Sequence, residues 1–280
     1  MSSGPLTPVW INGSLCAPGD AHLSVFDHGI LVGDGVFETV LAIGRRPFAL
    51  RRHLERLAAS ARGLGLPEPD REGIRRAVLE VLAAAPAWER ARVRITFTSG
   101  PGPIGSDRGA EGPTTIVAAR EQQPFAALAD VWTVPWPRNE RGALAGLKTT
   151  SYAENAKALA YARERGGSEA LFGNLAGNLC EGTGSNVFLV EGSRLVTPPL
   201  SAGCLAGVTR ALILEWVGGE ERNLPLAALA EAEEAFLAST TREVQPIELV
   251  NGRQLPAAPG PLTRKVMDAF TERARADLDP

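Results

Sequence analysis

A lysine, a glutamate and a glycine lie in three motifs between positions 146 and 210 that could form one reactive site. Lys148 lies in a polar turn and is followed by two threonines and a serine at 149–151. Glu181 opens the Gly-rich turn Glu-Gly-Thr-Gly-Ser-Asn at 181–186, and Gly207 stands at the start of an apolar helical run. A lysine that is held partly out of water has a lowered pKa, which frees its amine to attack a carbonyl carbon.

These three pieces match three groups of one cofactor. An amine holds a carbonyl as a Schiff base, an anionic carboxylate keeps a ring nitrogen protonated, and backbone N–H groups at a helix start bind a phosphate. Pyridoxal phosphate carries a carbonyl, a ring nitrogen and a phosphate, so the pattern predicts this cofactor. Each piece alone is more often a surface lysine, a turn carboxylate or an ordinary helix start, and only the combination favours the functional interpretation.

Two further segments offer ligands for anions. Arg56 lies in the basic stretch 51–57, and an arginine fork suits a phosphate dianion. The run Ser239-Thr240-Thr241 offers hydroxyl and N–H groups at the end of an expected strand. Their structural alternatives are a solvated helix face and a polar strand end. The histidines have no metal-ligand spacing, and residues 33–38 lack the third glycine of a dinucleotide fingerprint, so the sequence predicts neither a metal site nor that cofactor.

The composition excludes several classes of partner. The chain has 280 residues, of which 44% are hydrophobic and 22% are charged, and its net charge is −3. Without a basic field, nucleic acid and anionic membrane surfaces are not expected partners. Cys16, Cys180 and Cys204 are an odd number without metal spacing, which is typical of reduced thiols. The N-terminal residues do not resemble a secretory signal, so we expect a cytoplasmic protein.

The helices and strands expected around these residues form an α+β pattern. Strands are expected at 36–43, 48–50, 93–98 and 114–119, after a hairpin turn at Asn12-Gly13. Helices are expected at 51–62 and 71–84, the second capped by Asp70. Strands at 131–134, 169–172 and 186–190 and helices at 152–165, 207–216 and 261–274 complete the chain. We therefore predict a small domain at 1–120, a linker at 121–128 and a larger domain at 129–280.

The order and spacing of these motifs resemble those of the class IV aminotransferases, the fold type IV enzymes that use pyridoxal phosphate. The resemblance covers roughly residues 9–270. It rests on the motifs at 33–38, at His53-x-x-Arg56-Leu57, at Lys148 with Tyr152, at 181–188, at Thr197-Pro198, at 207–210 and at 239–243. The resemblance implies two α/β domains with the cofactor between them, in an enzyme that is usually a homodimer.

The resemblance also implies a role for each matched residue. Lys148 forms the Schiff base and moves the substrate proton, Glu181 pairs with the ring nitrogen, and Tyr152 reaches the phenolic oxygen. The phosphate ligands are expected from two helices and a turn: Arg56, Val208, Thr209 and Thr240. The N–H groups of Thr240 and Thr241 are expected to meet the substrate carboxylate.

The motifs specify the substrate less closely than they specify the cofactor. D-Amino acid aminotransferases have a tyrosine where this chain has Phe37, and they carry an Arg-x-His carboxylate trap in the loop that corresponds to residues 99–112. This loop has no such pair, so carboxylate binding falls to another arginine, Arg108 or Arg242, or the substrates include (R)-amines without a carboxylate.

These considerations predict a transaminase that moves an amino group between an amino acid and a 2-oxo acid. D-Amino acids are the first expected donors, and (R)-primary amines extend the range. An aminodeoxychorismate lyase and a branched-chain L-amino acid aminotransferase are the alternatives within the same chemistry. A homologue that binds pyridoxal phosphate without catalysis is the alternative from another class of function.

Overall fold

A computed structural model describes residues 7–280, which fold as two compact units. The first unit contains residues 7–124 together with Leu147–Tyr152 and Asp277–Pro280. The second contains Phe125–Gly146 and Ala153–Ala276. Among the described residues, no helix is both long enough and apolar enough to cross a membrane.

The first unit is built on an antiparallel sheet. Within the described residues this sheet has six strands in the order β2-β1-β6-β5-β3-β4. Asn12 and Gly13 both have positive φ, 44° and 100°, as the predicted hairpin turn between β1 and β2 requires. The strands are β1 Val9–Ile11, β2 Ser14–Cys16, β3 Gly35–Ile43, β4 Arg46–Pro47, β5 Arg90–Thr98 and β6 Thr114–Glu121.

Helices α1 His28–Leu31, α2 Leu50–Leu64 and α3 Arg71–Ala84 belong to the same unit. The Asp70 carboxylate accepts a hydrogen bond from Gly73 N at 2.9 Å, so the predicted N-cap of α3 is confirmed. The strand predicted at residues 48–50 is wrong, because Ala49 adopts φ 51° and Leu50 already begins α2. The N–H of Ala49 donates to Leu278 O, a partner that lies far along the chain.

One face of this sheet packs on α2 and α3 and forms the core of the unit. Successive side chains of a strand point to opposite faces, so alternate residues of β3 face the helices. The buried cluster contains Val36, Val40 and Ala42 of β3 with Leu54, Leu57 and Ala61 of α2 and Ile74, Val78 and Val81 of α3. Glu38 shares the helix-facing side of β3, whereas Phe37 lies on the opposite side.

The second unit contains a mixed sheet, with nine strands among the residues described. Eight follow the order β12-β11-β10-β13-β14-β7-β8-β9, and β15 pairs with β14. The strands are β7 Ala129–Thr133, β8 Glu169–Gly173, β9 Leu179–Gly182, β10 Asn186–Glu191, β11 Arg194–Thr197, β12 Glu220–Glu221, β13 Glu234–Ser239, β14 Glu243–Val250 and β15 Arg253–Gln254. The helices are α4 Ala153–Arg163, α5 Val208–Val217, α6 Ala228–Glu231 and α7 Pro261–Ala276.

Candidate active site

The segment that carries Lys148 is hydrogen-bonded to the start of β3. Phe37 N donates to Lys148 O at 2.9 Å, and Thr150 N donates to Gly35 O at 2.8 Å. The sequence-based division assigned this segment to the domain at 129–280, but these bonds join it to the first unit. The backbone of Lys148 is therefore fixed by the strand that presents Phe37.

Three side chains surround the Phe37 ring in this unit. Lys148 Nζ lies 4.4 Å from the ring centroid, and the Tyr152 ring meets it edge-on with the centroids 5.2 Å apart. The third is Arg94 of β5, whose guanidinium carbon lies 3.4 Å from the same centroid. Lys148, Tyr152 and Phe37, three residues chosen from the sequence, are thus brought together, and Arg94 joins them.

Arg94 is a cation in a partly desolvated position. Burial lowers its pKa to about 10, so the side chain is still charged at neutral pH. Its Nε donates to Thr96 Oγ1 at 3.1 Å, and within residues 7–280 its two Nη groups have no hydrogen-bond acceptor. A charged guanidinium whose Nη groups have no acceptor can bind a planar carboxylate through two hydrogen bonds.

Arg56, the predicted phosphate ligand on α2, is held by a buried carboxylate. The side chain of Glu38 is fully buried, and it accepts from Arg56 Nε and Arg56 Nη2, each at 2.7 Å. It also meets His53 Nδ1 at 2.7 Å. A two-point fork of this kind fixes the plane of the guanidinium as well as its position.

The charges of this cluster follow from its surroundings. Burial alone would raise the pKa of Glu38, but the charge and hydrogen bonds of Arg56, together with His53, outweigh it and hold that pKa far below the ordinary value. Burial lowers the pKa of His53 in spite of Glu38, so the imidazole is neutral and donates its Nδ1 proton to the carboxylate. The cluster is thus a Glu38–Arg56 ion pair with a neutral histidine.

Glu181, the predicted partner of a ring nitrogen, lies in β9 of the second unit, next to the last residue of the strand. Its Oε2 accepts from Leu205 N at 2.9 Å, and its Oε1 lies 3.7 Å from Arg138 Nη2. Arg138 stacks over Phe172 at 4.1 Å and also contacts Glu154. A backbone donor and a cation therefore hold the Glu181 carboxylate in place, and a carboxylate is the kind of group that pairs with a ring nitrogen.

The N-terminus of α5 fits an anion. Gly207 is its N-cap and has no side chain, so it leaves the first N–H groups of this ten-residue helix open to an anion. Val208 and Thr209, both predicted phosphate ligands, form the first turn. Asn186 Nδ2 donates to Leu205 O at 2.9 Å and fixes the chain just before the helix.

Gly207→Ala is expected to weaken anion binding at this helix. A Cβ on Gly207 would overlap Asn186 Oδ1, so Asn186 would have to leave Leu205 O and the helix start would shift. We expect the dissociation constant for pyridoxal phosphate to rise about tenfold, since one hydrogen bond and the local geometry are lost. Equilibrium dialysis measures this constant. Gly184→Ala is the control, because a Cβ there meets open space, and an equal effect of both variants would contradict the expectation.

Thr240 and Thr241 form the turn that follows β13. The next residue, Arg242, is bound to other residues of the protein. Arg242 pairs with Glu169 at 3.4 Å, contacts Gln245 and stacks over Phe125 at 4.3 Å. Glu169 is buried and also accepts from Thr183 N at 3.2 Å in the turn after Glu181. Arg242 therefore joins two turns of the second unit.

Arg108, the other predicted carboxylate ligand, also has its donors engaged. Its Nε and Nη2 form a two-point pair with Asp34 at 2.7 and 2.8 Å. Its Nη1 donates to Gly65 O at 2.6 Å, and Nη2 donates to Leu64 O at 2.9 Å. Arg94, in contrast, has two Nη groups without an acceptor among residues 7–280.

Sequence reasoning missed four of these charged residues: Glu38, Arg94, Arg138 and Glu169. Arg94 carried no distinguishing signal, because it fits the regular alternation of β5 on the polar face opposite to Val93 and Ile95. Glu38 stood within the quoted motif at 33–38 but next to apolar residues, where a carboxylate requires a cation. Arg138 and Glu169 carried no local signal, since their partners come from other strands and turns.

Comparison with known proteins identifies the family. Residues 35–250 match the family model described as Amino-transferase class IV. The chain therefore belongs to the class IV aminotransferases, which are enzymes that depend on pyridoxal phosphate. The fold, the family and the cofactor expected from the sequence are confirmed.

Individual relatives carry different names. The chain is 32% identical to a Methanocaldococcus jannaschii protein provisionally named a branched-chain-amino-acid aminotransferase, over 94% of this chain and 95% of that one. It is 30% identical to a Mycobacterium tuberculosis bifunctional aminodeoxychorismate lyase / D-amino acid transaminase, over 90% and 93%. The solved Thermoproteus uzoniensis branched-chain aminotransferase with norvaline has a TM-score of 0.87 and 29% identity, covering 96% and 94%.

Proposed function

We propose that this chain transfers an amino group between an α-amino acid, with D-amino acids as the first donors, and a 2-oxo acid. The observation that carries the proposal is that Lys148 and Arg94 flank one aromatic ring, Phe37. An α-amino acid has its carboxylate one bond from the reacting carbon, so its carboxylate ligand must lie close to the lysine that moves the proton. Arg94 meets this requirement with two Nη groups that have no acceptor in the part of the chain that the structure describes.

The residues of each unit fit the cofactor. Lys148 would hold its carbonyl carbon, Glu181 its ring nitrogen and Tyr152 its phenolic oxygen. The phosphate would be bound by the arginine that Glu38 orients and by the hydroxyl and N–H groups described above: Arg56, Val208, Thr209 and Thr240. When bound, pyridoxal phosphate draws electrons from the α carbon of the substrate. The amine of Lys148 then carries the α proton, and Arg94 and Thr241 orient the carboxylate.

The preference for the D side is supported by the relative whose name includes D-amino acid transaminase. The same name includes aminodeoxychorismate lyase, which makes the lyase the second candidate. A branched-chain L-amino acid aminotransferase is the third, because the archaeal relative and the Thermoproteus structure carry that name. The homodimer and the cytoplasmic location expected from the sequence stay predictions.

A spectroscopic titration tests the reaction class. Bound pyridoxal phosphate absorbs visible light, and a half-reaction with an amino donor removes that band. We expect D-alanine to remove it and L-leucine to leave it. The reverse result would favour the branched-chain enzyme, and formation of pyruvate from aminodeoxychorismate without an acceptor would favour the lyase.

Arg94→Gln tests the carboxylate assignment. Hydrogen bonds to a charged partner contribute about 1.5–3 kcal/mol, so kcat/KM for D-alanine is expected to fall roughly 10- to 100-fold. Steady-state rates with an (R)-amine, which has no carboxylate, should stay within about twofold of wild type. Arg92→Gln is the matched control on the same strand and face, since Arg92 is hydrogen-bonded to Gln122 at 2.8 Å. An equal loss for the amine and the amino acid would refute the assignment.

A further inference from the structure

The Lys148 segment lies in a slot with two walls, both within the first unit. One wall is the turn before β3, where Thr150 Oγ1 donates to Gly33 O at 2.8 Å and Thr150 N donates to Gly35 O. The other wall is the last part of α2. Lys148 N donates to Ser60 Oγ of that helix at 3.2 Å.

Packing adds to the hydrogen bonds on the helix side. A Cβ on Gly63 would approach Leu147 Cδ2 to 2.5 Å, so the glycine allows Leu147 to lie directly against α2. The two residues before Thr149 are thus fixed by the helix, and Thr150 is fixed by the turn. The orientation of Lys148 depends on the spacing between these two walls.

Arg108 joins the two walls. Its two-point pair holds Asp34, which lies between Gly33 and Gly35 in the turn. Its remaining bonds hold the carbonyl oxygens of Leu64 and Gly65, which follow Gly63 at the end of α2. A cation at this helix end is also favoured by the helix dipole. The Arg108 guanidinium lowers the pKa of Asp34, which is therefore ionised at neutral pH.

The loop that carries Arg108 is itself anchored. His28 of α1 is 1% exposed, and its Nε2 lies 2.9 Å from Pro103 O in this loop. His28 N and Gly102 N are bonded to Gly100 O and Phe26 O. These bonds hold the loop in place, and the loop in turn holds Arg108 against Asp34 and the end of α2.

We propose that Arg108 is a positioning residue for Lys148. Arg108 joins the turn before β3 to the end of α2 and thereby fixes the slot that holds the lysine. This rests on the proposed function of Lys148. It differs from the sequence-based assignment of Arg108, because the guanidinium acts through the protein and does not touch the substrate. The two assignments predict different kinetic and exchange behaviour.

The test compares Arg108→Gln with Arg62→Gln, a surface arginine in the last turn of α2 whose partner Glu68 is 3.5 Å away. Hydrogen–deuterium exchange of the peptide 147–152 is measured first, in both variants and in wild type. Loss of charge-assisted bonds is expected to speed exchange of this peptide about tenfold in Arg108→Gln only. Asp34→Asn should act in the same direction, and Arg108→Lys, which keeps the charge without the fork, should recover part of the protection.

Steady-state kinetics with an amino donor provide the second readout. If Arg108 positions Lys148, kcat should fall about tenfold while KM for the donor changes less than about twofold. A tenfold rise in KM with unchanged exchange would make Arg108 a substrate ligand and overturn the proposal. Unchanged exchange in both Arg108→Gln and Asp34→Asn would also overturn it. The exchange readout does not depend on turnover, so it remains decisive even if wild type shows no transaminase activity.

Discussion

Lys148→Ala is expected to abolish transamination while the protein keeps its fold. In the proposed function the amine of Lys148 carries the substrate proton, and proton transfer by a positioned side chain contributes roughly 10²- to 10⁴-fold in rate. The bonds from Lys148 N to Ser60 Oγ and from Phe37 N to Lys148 O use its backbone, which alanine retains. Steady-state rates with D-alanine and a 2-oxo acid measure the loss, and circular dichroism with thermal unfolding measures the fold.

Lys157→Ala is the matched control for this prediction. Lys157 is exposed on α4, where it lies 4.7 Å from the Trp136 ring. An exposed cation over an aromatic ring contributes about 0.5–1 kcal/mol to stability, and Lys157 has no proposed role in turnover. Activity should therefore survive in Lys157→Ala. Substantial activity in Lys148→Ala would refute the role assigned to Lys148.

Glu38→Gln is expected to destabilise the protein more than any surface charge change. Glu38 is fully buried, and its two oxygens hold both Nε and Nη2 of Arg56. Removing one partner of a buried ion pair typically costs about 3–5 kcal/mol, because the other charge loses its compensation. Urea unfolding monitored by circular dichroism measures the change in the free energy of unfolding.

Glu55→Gln on the same helix as Arg56 is the control. Glu55 pairs with Arg51 at 3.2 Å, and both side chains are about half exposed. An exposed i,i+4 pair contributes about 0.3–0.5 kcal/mol, so this variant should unfold close to wild type. Equal midpoints for Glu38→Gln and wild type would contradict the account of the buried cluster.

The same pair predicts a pH dependence of stability with a defined sign. The pKa of Glu38 is lower in the folded protein than the ordinary 4.5 of a glutamate, so the unfolded chain takes up a proton first as the pH falls. The contribution of Glu38 is therefore complete above that ordinary value and is lost as the pH drops below it towards the lowered folded value. Wild type should lose its stability advantage over Glu38→Gln in this acid range, as urea unfolding at a series of pH values would measure.

The preorganisation of Arg56 gives the buried cluster a second consequence. An arginine fixed by two hydrogen bonds loses less side-chain entropy when it binds a phosphate than a mobile one does. Neutral His53 completes the coordination of Glu38 without adding a competing positive charge. The buried pair thus links the stability of the first unit to the predicted phosphate ligand.

Local signals in the sequence determined much of the fold. The Asn12-Gly13 turn, the Asp70 cap and the 71–84 helix depend on neighbouring residues, and all three are confirmed. Strand β14 was missed, because Pro246 lacks the N–H that a central strand normally donates. Its pairing with β13 and β7, including a register shift between Ile247 and Leu249, depends on neighbours distant in sequence.

The family and the cofactor could be predicted from the sequence, because they follow from the types of the motifs and their spacing. The pairing of the charges could be seen only in the folded chain. In the tertiary structure the Lys148 segment is bonded to β3, Arg108 pairs with Asp34, and Arg242 pairs with Glu169. Arg94 also lies against Phe37 beside the lysine. The physical reason is that a buried or partly buried charge takes its partner from whatever strand, turn or helix end packs next to it, and spacing along the chain does not encode that neighbour.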